Sequence, residues 1–301
     1  SYDVFADLFT PMMQTYFNSK KPHPKNDYGD LSKKDIRDLL DLAAVDENNL
    51  IKSTRVRVAR NVEGVAYAAK ISPKDRIAVE DKIVQASKTF TGDIEGSYTY
   101  MKDLDAKKQE EMVEAHLLFH CKDAYIREAG MFDDWPNGRG AFYSKNEQQR
   151  TMLWVNEEDH MRVICLQDGN DLLGVYTRLI KTLEALDKAG VKMAQHKTWG
   201  FLASCPTNVG TGMRASVHVK IPRVSKLKCF KEFCNDMQMD IRGVHGEHSE
   251  SSDGTFDISN KFRFGCTEID AISIMARGVK NLIRFENALI EYEKAGGAQK
   301  S

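Results

Sequence analysis

The chain carries two kinds of apolar periodicity, and the shorter of them predicts strands. In residues 53–60, STRVRVAR, the arginines Arg55 and Arg57 fall on one side and the valines on the other, which is the two-residue period of a β-strand. Arg60 is a further candidate for the arginine side. Apolar runs bounded by polar turns predict other strands at residues 150–156, 162–167, 199–205, 215–222, 239–246 and 255–260.

Apolar residues spaced three and four apart predict helices between these strands. Ser72 followed by Pro73 opens one helix, and Ser32-x-x-Asp35 has the pattern of a capping box. Other helices are predicted at residues 4–9, 105–119, 171–190, 227–238 and 268–294. Because hairpins are interleaved with long helices, without a strict βαβ alternation, the sequence predicts an α+β fold in which helices flank a large, mostly antiparallel β-sheet.

The most polar break between two predicted strands is CPTNVGTGMRASVH, residues 205–218. A tight hairpin needs only about two residues in its turn, commonly Asn-Gly or Asp-Gly. This stretch is much longer and combines glycines with threonine, asparagine, cysteine and arginine. We therefore expect a loop that holds a ligand.

Composition and charge narrow the class of protein. The chain has 301 residues, with 43 Lys+Arg against 44 Asp+Glu and a formal net charge of −1, which argues against a general nucleic-acid or membrane-surface binder. No apolar stretch approaches the roughly 20 residues of a transmembrane helix, and no signal-peptide pattern opens the chain. The six scattered cysteines predict reduced thiols and a cytoplasmic protein. Neither a Rossmann nor a Walker phosphate-loop motif is present.

The polar groups that fit a core least well are arginines and carboxylates near predicted strands. The arginines are Arg55, Arg57, Arg162, Arg214 and Arg242. The planar guanidinium fork suits bidentate recognition of phosphate, although each arginine taken alone could be an ordinary solvated charge. Glu157 and Glu158 follow one apolar run and Glu247 follows another, where they could equally be solvated turns. Together, these groups indicate a Mg²⁺-nucleotide phosphotransferase, in which the protein chiefly aligns reactants and stabilises charge.

Five blocks of the sequence, in this order, resemble the phosphagen (ATP:guanidino) kinase family. They are STRVRVAR, WVNEEDHMRVI, CPTNVGTGMRASVH, RGVHGEHSE and FDISNKFRFG, and the resemblance extends from residue 1 to about residue 296. The family transfers phosphate reversibly between MgATP and a guanidino acceptor. Its fold is a small helical N-terminal domain followed by a large antiparallel sheet surrounded by helices.

The resemblance implies a role for each candidate site residue. It assigns Glu158 as the base that pairs with the guanidinium, Glu247 as a second guanidinium carboxylate, and Glu157 as the group that orients Mg²⁺-bound water. Cys205 would lie beside the guanidinium, where positive charge favours a thiolate, with Thr207 in the same loop. The ATP or ADP side of the site would be formed by Arg55, Arg57, Arg162, Arg214, Arg242, His218, Tyr143 and Asp257.

Two positions bear on the acceptor, and both indicate L-arginine. Glu247 stands where arginine-type members have glutamate, and Tyr16 aligns with a position that is typically tyrosine in those members. Kinases for lombricine and taurocyamine share the GEHS block, so these acceptors remain alternatives. Tyr143 departs from the family pattern, because a histidine normally stacks near the adenine there; an aromatic face can substitute for it.

The resemblance also predicts a domain division, with residues 1–45 as the end of a helical region plus linker and residues 46–301 as the catalytic domain. Most of the family's helical domain is missing from this chain, so we expect a longer parent protein. Two further interpretations remain open, namely a protein-arginine kinase and a non-catalytic nucleotide-binding module. The expected partners are small-molecule substrates, without nucleic acid or membrane, and the protein could be a monomer or a homodimer.

Overall fold

The computed structural model describes residues 2–243 and 253–297. Its strands are β1 (Ile51–Arg60), β2 (Gly96–Tyr100), β3 (Gly140–Ser144), β4 (Gln149–Val155), β5 (Met161–Asp168), β6 (Gln195–His196), β7 (Gly200–Phe201), β8 (Met213–Lys220), β9 (Met239–Gly243) and β10 (Thr255–Asn260). Eight of them form one antiparallel sheet in the order β2-β3-β4-β5-β1-β8-β10-β9, while β6 and β7 pair separately. The predicted antiparallel sheet is confirmed.

Helices flank this sheet. They are α1 (Ala6–Tyr16), α2 (Lys34–Leu40), α3 (Pro73–Ser87), α4 (Ala106–Glu114), α5 (Ala124–Glu128), α6 (Leu172–Lys188), α7 (Phe230–Asp236) and α8 (Glu268–Lys294). The main core lies between one face of the sheet and the helices α6 and α8, which contact the central strands. None of the helices in the described part of the chain combines the length and the apolarity needed to cross a bilayer. The predicted α+β class is therefore confirmed.

Strand β1, at the centre of the sheet, directs its side chains alternately to the two faces of the sheet. Val56 and Val58 are fully buried in the main core, and Arg55 and Arg57 project from the opposite face because neighbouring side chains alternate along a strand. The suggestion that Arg60 shares the arginine side is wrong. It lies an odd number of residues from Arg57 and is buried on the core side, where its guanidinium is 3.9 Å from Glu268.

Several helices differ from the pattern. Helix α1 runs on to Tyr16 instead of ending at residue 9, and α5 was not predicted. The predicted capping box of α2 is wrong, because Ser32 donates its hydroxyl to Asp30 at 2.6 Å and no side chain caps the helix. The helix predicted at 105–119 ends earlier, at Glu114, and the chain turns at His116, whose φ is +56°. By contrast, Ser72 caps α3 as predicted.

The strands predicted on either side of the CPTNVGTG segment do not form a hairpin. Only Gly200–Phe201 of the predicted strand 199–205 is extended, and it pairs with β6 instead of β8. Two backbone hydrogen bonds join Phe201 and Gly210, at 2.8 and 3.2 Å. They close residues 202–209, which we name the cysteine loop.

The division at residue 45 stays a prediction. Leu40, Leu42 and Val45 from the first segment lie in the same apolar cluster as the sheet. A second cluster packs α1 against the cysteine loop, with Met13 and Val209 among its buried members. The N-terminal residues are thus packed against the elements that carry the candidate site.

Candidate active site

Four arginines from three adjacent strands project from the face of the sheet opposite the main core. Arg55 and Arg57 come from the central strand β1; Arg214 on β8 lies directly across from Arg57, and Arg162 on β5 lies across from Ala59. Cross-strand partners share a face, and like charges placed directly opposite are destabilising. We name the surface formed by these four side chains the arginine face. Its formation opposes stability, which points to a role in binding.

The charges on the arginine face perturb one another. Burial lowers the pKa of Arg55 to about 10, and the positive charges of Arg162 and Arg214 act in the same direction. Burial, followed by Arg162 and Arg55, also lowers the pKa of Arg57. Within residues 2–243 and 253–297, no carboxylate forms an ion pair with Arg55 or Arg57. A bound anion with several charges would supply what these guanidiniums lack.

Two carboxylates stand at the edge of the arginine face, in the turn between β4 and β5. We name this turn, residues 156–160, the acidic turn. Arg162 contacts both of its glutamates, with N–O distances of 3.0 Å to Glu157 and 3.3 Å to Glu158. Burial, followed by the negative charge of Asp159, raises the pKa of Glu158, while Arg162 opposes the shift. A carboxylate with a raised pKa is a better proton acceptor, as a general base requires.

A third carboxylate, Asp257 on β10, lies between an arginine and a histidine. It accepts a hydrogen bond from Arg214 at 2.8 Å and is 3.8 Å from the ring of His218. Burial alone would raise the pKa of Asp257, but Arg214, His218 and Ser216 together outweigh burial and the pKa is lowered. Burial lowers the pKa of His218, and the opposing charge of Asp257 does not offset this effect. His218 also contacts the hydroxyl of Ser53 at 3.2 Å.

The cysteine loop brings a thiol to the same region. The Sγ of Cys205 and the hydroxyl of Thr207 are 3.0 Å apart. Gly210, which closes the loop, has φ +98°, and a Cβ there would lie 2.3 Å from the carbonyl oxygen of Arg263. Only glycine fits this conformation and this close approach.

Arg263 is a further arginine beside the candidate site, and the sequence pattern did not single it out. Its guanidinium donates to Asn208 of the cysteine loop. Its pKa is lowered by burial first and then by the charges of Arg214 and Arg242, and Cys205 and Tyr16 are close enough to oppose the shift. The candidate arginines were those at or beside predicted strands. Arg263 follows the strand 255–260 by three residues, so the same criterion extended slightly would have found it.

The remaining predicted residues are less concentrated. Arg242 lies across from Asp257 on the neighbouring strand and contacts Asp240 at 3.0 Å. Glu247 lies outside the described residues. Tyr143 is on the same face as Arg57 but three strands away, about 14 Å at the usual strand spacing, and its hydroxyl donates to the Leu117 carbonyl at 3.0 Å. Tyr16 is 63% exposed at the end of α1.

The donor set suits a metal ion that arrives with a polyphosphate. Across the part of the chain that the structure describes, no three His, Cys, Asp or Glu side chains form a cluster that could hold an ion. Mg²⁺ commonly keeps several waters and is held through phosphates plus one or two carboxylates. Glu157 has a buried carboxylate oxygen that contacts Arg162 at 3.0 Å without accepting a well-aligned hydrogen bond, so it could serve as such a carboxylate. The described residues therefore suit a Mg²⁺ ion bound through a polyphosphate better than one held by side chains alone.

Comparison with characterised proteins agrees with this chemistry. Residues 78–289 match the family model of the ATP:guanido phosphotransferase C-terminal catalytic domain. A taurocyamine kinase of Schistosoma mansoni is 41% identical over 297 residues, 98% of this chain and 39% of the relative. Arginine kinase Oct f 2 of Amphioctopus fangsiao is 40% identical over 287 residues, 95% of this chain and 80% of the relative.

Solved structures give the same result. The substrate-free duplicated taurocyamine kinase from Schistosoma mansoni superposes with a TM-score of 0.88 at 40% identity, covering 99% of this chain and 41% of that one. A lombricine kinase superposes with a TM-score of 0.86 at 30% identity, covering 99% and 80%. The chain thus spans about two fifths of one relative and four fifths of others. It belongs to the phosphagen (ATP:guanido) kinase family.

Proposed function

We propose that this chain transfers the γ-phosphoryl group of MgATP reversibly to the guanidino group of a small acceptor, with L-arginine as the first candidate. The observation that carries the proposal is the arginine face, whose Arg55 and Arg57 have no carboxylate partner among the described residues, with Glu158 at its edge. A bound polyphosphate would neutralise the excess positive charge of the arginine face. Glu158, beside the terminal phosphate, could then form an ion pair with the guanidinium of the acceptor.

In the proposed reaction, the acceptor nitrogen forms a bond to the γ-phosphorus as the bond from that phosphorus to the bridging oxygen breaks. ADP leaves with the electron pair of that bond, and the proton lost by the nitrogen passes to Glu158. The raised pKa of Glu158 favours this transfer. The reverse reaction returns the proton and makes ATP.

The other residues act by binding and alignment. The arginine face and Arg242 would neutralise the phosphates and hold the γ-phosphorus in line with the acceptor. Arg162 contacts both Glu157 and Glu158. It would therefore hold Glu157, on the phosphate side of the site, and Glu158, on the guanidinium side, in fixed positions relative to each other. Glu157 would orient a water of the magnesium ion. His218, Asp257 and the more distant Tyr143 are assigned to the nucleotide side.

Cys205 and Thr207 are assigned to the guanidinium side of the site. Their side chains lie 3.0 Å apart in the cysteine loop, and Cys205 is within electrostatic reach of Arg263. Glu247 is proposed from the sequence alone as a second guanidinium carboxylate. The six unpaired cysteines fit a reducing compartment, and we place the protein in the cytoplasm, as a monomer or homodimer.

Taurocyamine is the second candidate acceptor, because a relative that is 41% identical bears the name of a taurocyamine kinase. L-Arginine stays first on the basis of Tyr16, which lies at the end of α1 and close to Arg263, together with Glu247 in the sequence. The two acceptors differ in the group at the far end of the molecule, a sulfonate in one and an amino acid in the other.

An acceptor panel tests the proposal. The protein is incubated with MgATP and, separately, L-arginine, taurocyamine, lombricine or creatine, and new P–N bonds are detected by ³¹P NMR. We expect phosphoarginine to form fastest, Glu158→Gln to abolish most of the signal, and EDTA to stop it. A denatured arginine-rich protein serves as a further acceptor. No P–N product with any acceptor, despite calorimetric ATP binding, would refute the enzyme and favour a nucleotide-binding module.

A further inference from the structure

The acidic turn and the cysteine loop belong to distant parts of the sequence, yet one carboxylate joins them. Asp159 is buried, and its Oδ1 accepts two hydrogen bonds of 2.6 Å each. One comes from the side chain of Asn61, just beyond the end of β1, and the other from the backbone N–H of Ser204. Asp159 therefore holds β1, the acidic turn and the cysteine loop together through a single oxygen.

Each of the two segments joined by Asp159 carries, next to the contact in the sequence, a residue that the proposed function assigns to the guanidinium. Glu158 directly precedes Asp159, and Cys205 directly follows Ser204. Any shift of the Asp159 carboxylate relative to the Ser204 N–H therefore changes the separation between the base and the thiol. We propose that Asp159 is a positioning residue that sets the width of the guanidinium site, an inference that rests on the function proposed above.

The surroundings of Asp159 make it a firm anchor. Its neighbour His160 is fixed on three sides: the ring accepts from the Val62 N–H at 2.9 Å and contacts the Ala66 carbonyl at 2.9 Å, and the backbone N–H donates to Asn61 at 3.0 Å. The acidic turn is thus tied to the segment after β1, and the Ser204 bond adds the cysteine loop. Hydrogen bonds to a charged acceptor are about twice as strong as neutral ones, which suits a joint between two loops.

The test compares Asp159→Ala, which removes the acceptor, with Asp159→Asn, which keeps a neutral acceptor of the same shape. Asp46→Ala is the matched control. Asp46 is another buried carboxylate that accepts backbone hydrogen bonds, from Leu50 at 2.6 Å and Ile51 at 3.3 Å, and a side-chain bond from Asn170. We expect Asp46→Ala to lower Tm about as much as Asp159→Ala does and to leave the candidate site unchanged.

The first readout is alkylation by iodoacetamide, which needs no phosphotransfer. Peptide mass spectrometry gives the rate at Cys205 relative to that at the exposed Cys229. We expect the ratio to rise by about threefold or more in Asp159→Ala as the cysteine loop loosens, by about twofold in Asp159→Asn because a neutral bond is weaker, and not at all in Asp46→Ala. Should the alanine variant fail to fold, the asparagine variant decides: an unchanged ratio overturns the proposal.

The second readout is steady-state kinetics with the acceptor found in the panel. A misplacement of about 1 Å can lower catalytic efficiency by up to about 100-fold. We therefore expect Asp159→Ala to raise the acceptor KM and lower kcat by about tenfold each, with the ATP KM within about twofold of wild type. Equal changes in both KM values, or kinetics like those of Asp46→Ala, would overturn the proposal. If wild type transfers no phosphate, the proposed function fails, while the alkylation series still judges Asp159.

Discussion

Replacing Arg55 with methionine should stabilise the ligand-free protein and weaken nucleotide binding at the same time. Burial and two neighbouring arginines lower the pKa of this side chain from the ordinary 12.5 to about 10. The folded state therefore binds the proton of Arg55 less tightly than the unfolded chain does. At neutral pH both states carry the charge, so the folded state bears the whole cost, which is relieved only as the pH rises through about 10 towards 12.5.

The size of the effect follows from the same values. A pKa lowered from 12.5 to about 10 corresponds to about 3 kcal/mol of differential interaction between the charged and neutral forms. Because Arg55 is partly exposed, solvent screening leaves about 1–2 kcal/mol. Methionine keeps much of the apolar stem without the charge. For a chain of this size we expect Tm to rise by about 2–3 °C.

Thermal unfolding is measured by circular dichroism with and without saturating MgADP. Wild type should gain stability from the nucleotide, and Arg55→Met should start from a higher Tm and gain much less. Arg277→Met, on the exposed side of α8, is the control for loss of a positive charge and should keep the full nucleotide effect. A lower Tm for Arg55→Met without nucleotide, or a nucleotide gain equal to that of wild type, would refute the reasoning.

Three further predictions concern the base, a buried carboxylate and a glycine. Glu158→Gln should lower kcat by roughly 10²–10⁴-fold. Because burial raises the pKa of Glu158, kcat/KM of the wild type should fall on the acidic side at a pH above that of an ordinary glutamate, and this fall should be absent in the variant. Burial raises the pKa of Glu80, which accepts from Tyr98, to about 7, so wild type should lose about 1–3 kcal/mol of unfolding free energy relative to Glu80→Gln as the pH rises from 4.5 to 7; parallel urea curves at both pH values would contradict this. Gly210→Ala should cost about 1–3 kcal/mol and lower kcat/KM, because its Cβ would meet the Arg263 carbonyl; a wild-type Tm would argue against it.

Local periodicity predicted six of the eight strands of the large sheet, because alternation along a strand can be read from the sequence, and it missed β2 and β3. The alternation in residues 53–60 places Arg55 and Arg57 opposite Val56 as expected. The same rule excludes Arg60 from the arginine side, since an odd separation from Arg57 reverses the direction of the side chain. The expectation for Arg60 rested on residue type alone, without the strand period.

Contacts between distant segments could not be predicted in the same way. The loop that carries Cys205 has the composition of a hairpin turn, but it is closed by the Phe201–Gly210 pair, and the flanking strands lie in different sheets. The hydrogen bond from Ser204 to Asp159 joins residues 45 positions apart. The residue types of a turn do not show which distant residue it will contact. The sequence therefore indicated the loop but not its hydrogen bond to Asp159.

The arginines of β1 show the difference between a buried arginine that stabilises the fold and one that is available to bind an anion. Arg60 is fully buried, yet its guanidinium donates to the carbonyls of Ala59 and Thr211 at 2.8 Å each, stacks on the Phe201 ring at 3.5 Å and faces Glu268. The protein supplies its partners, so Arg60 needs no ligand. Arg57, three residues earlier, faces Arg214 across the strand pair and has no carboxylate partner among the described residues. A buried cation with partners holds the fold together, whereas Arg55 and Arg57, which have no carboxylate partner among the described residues, remain unfavourable until an anion binds. Only the second arrangement gives a phosphate its binding energy.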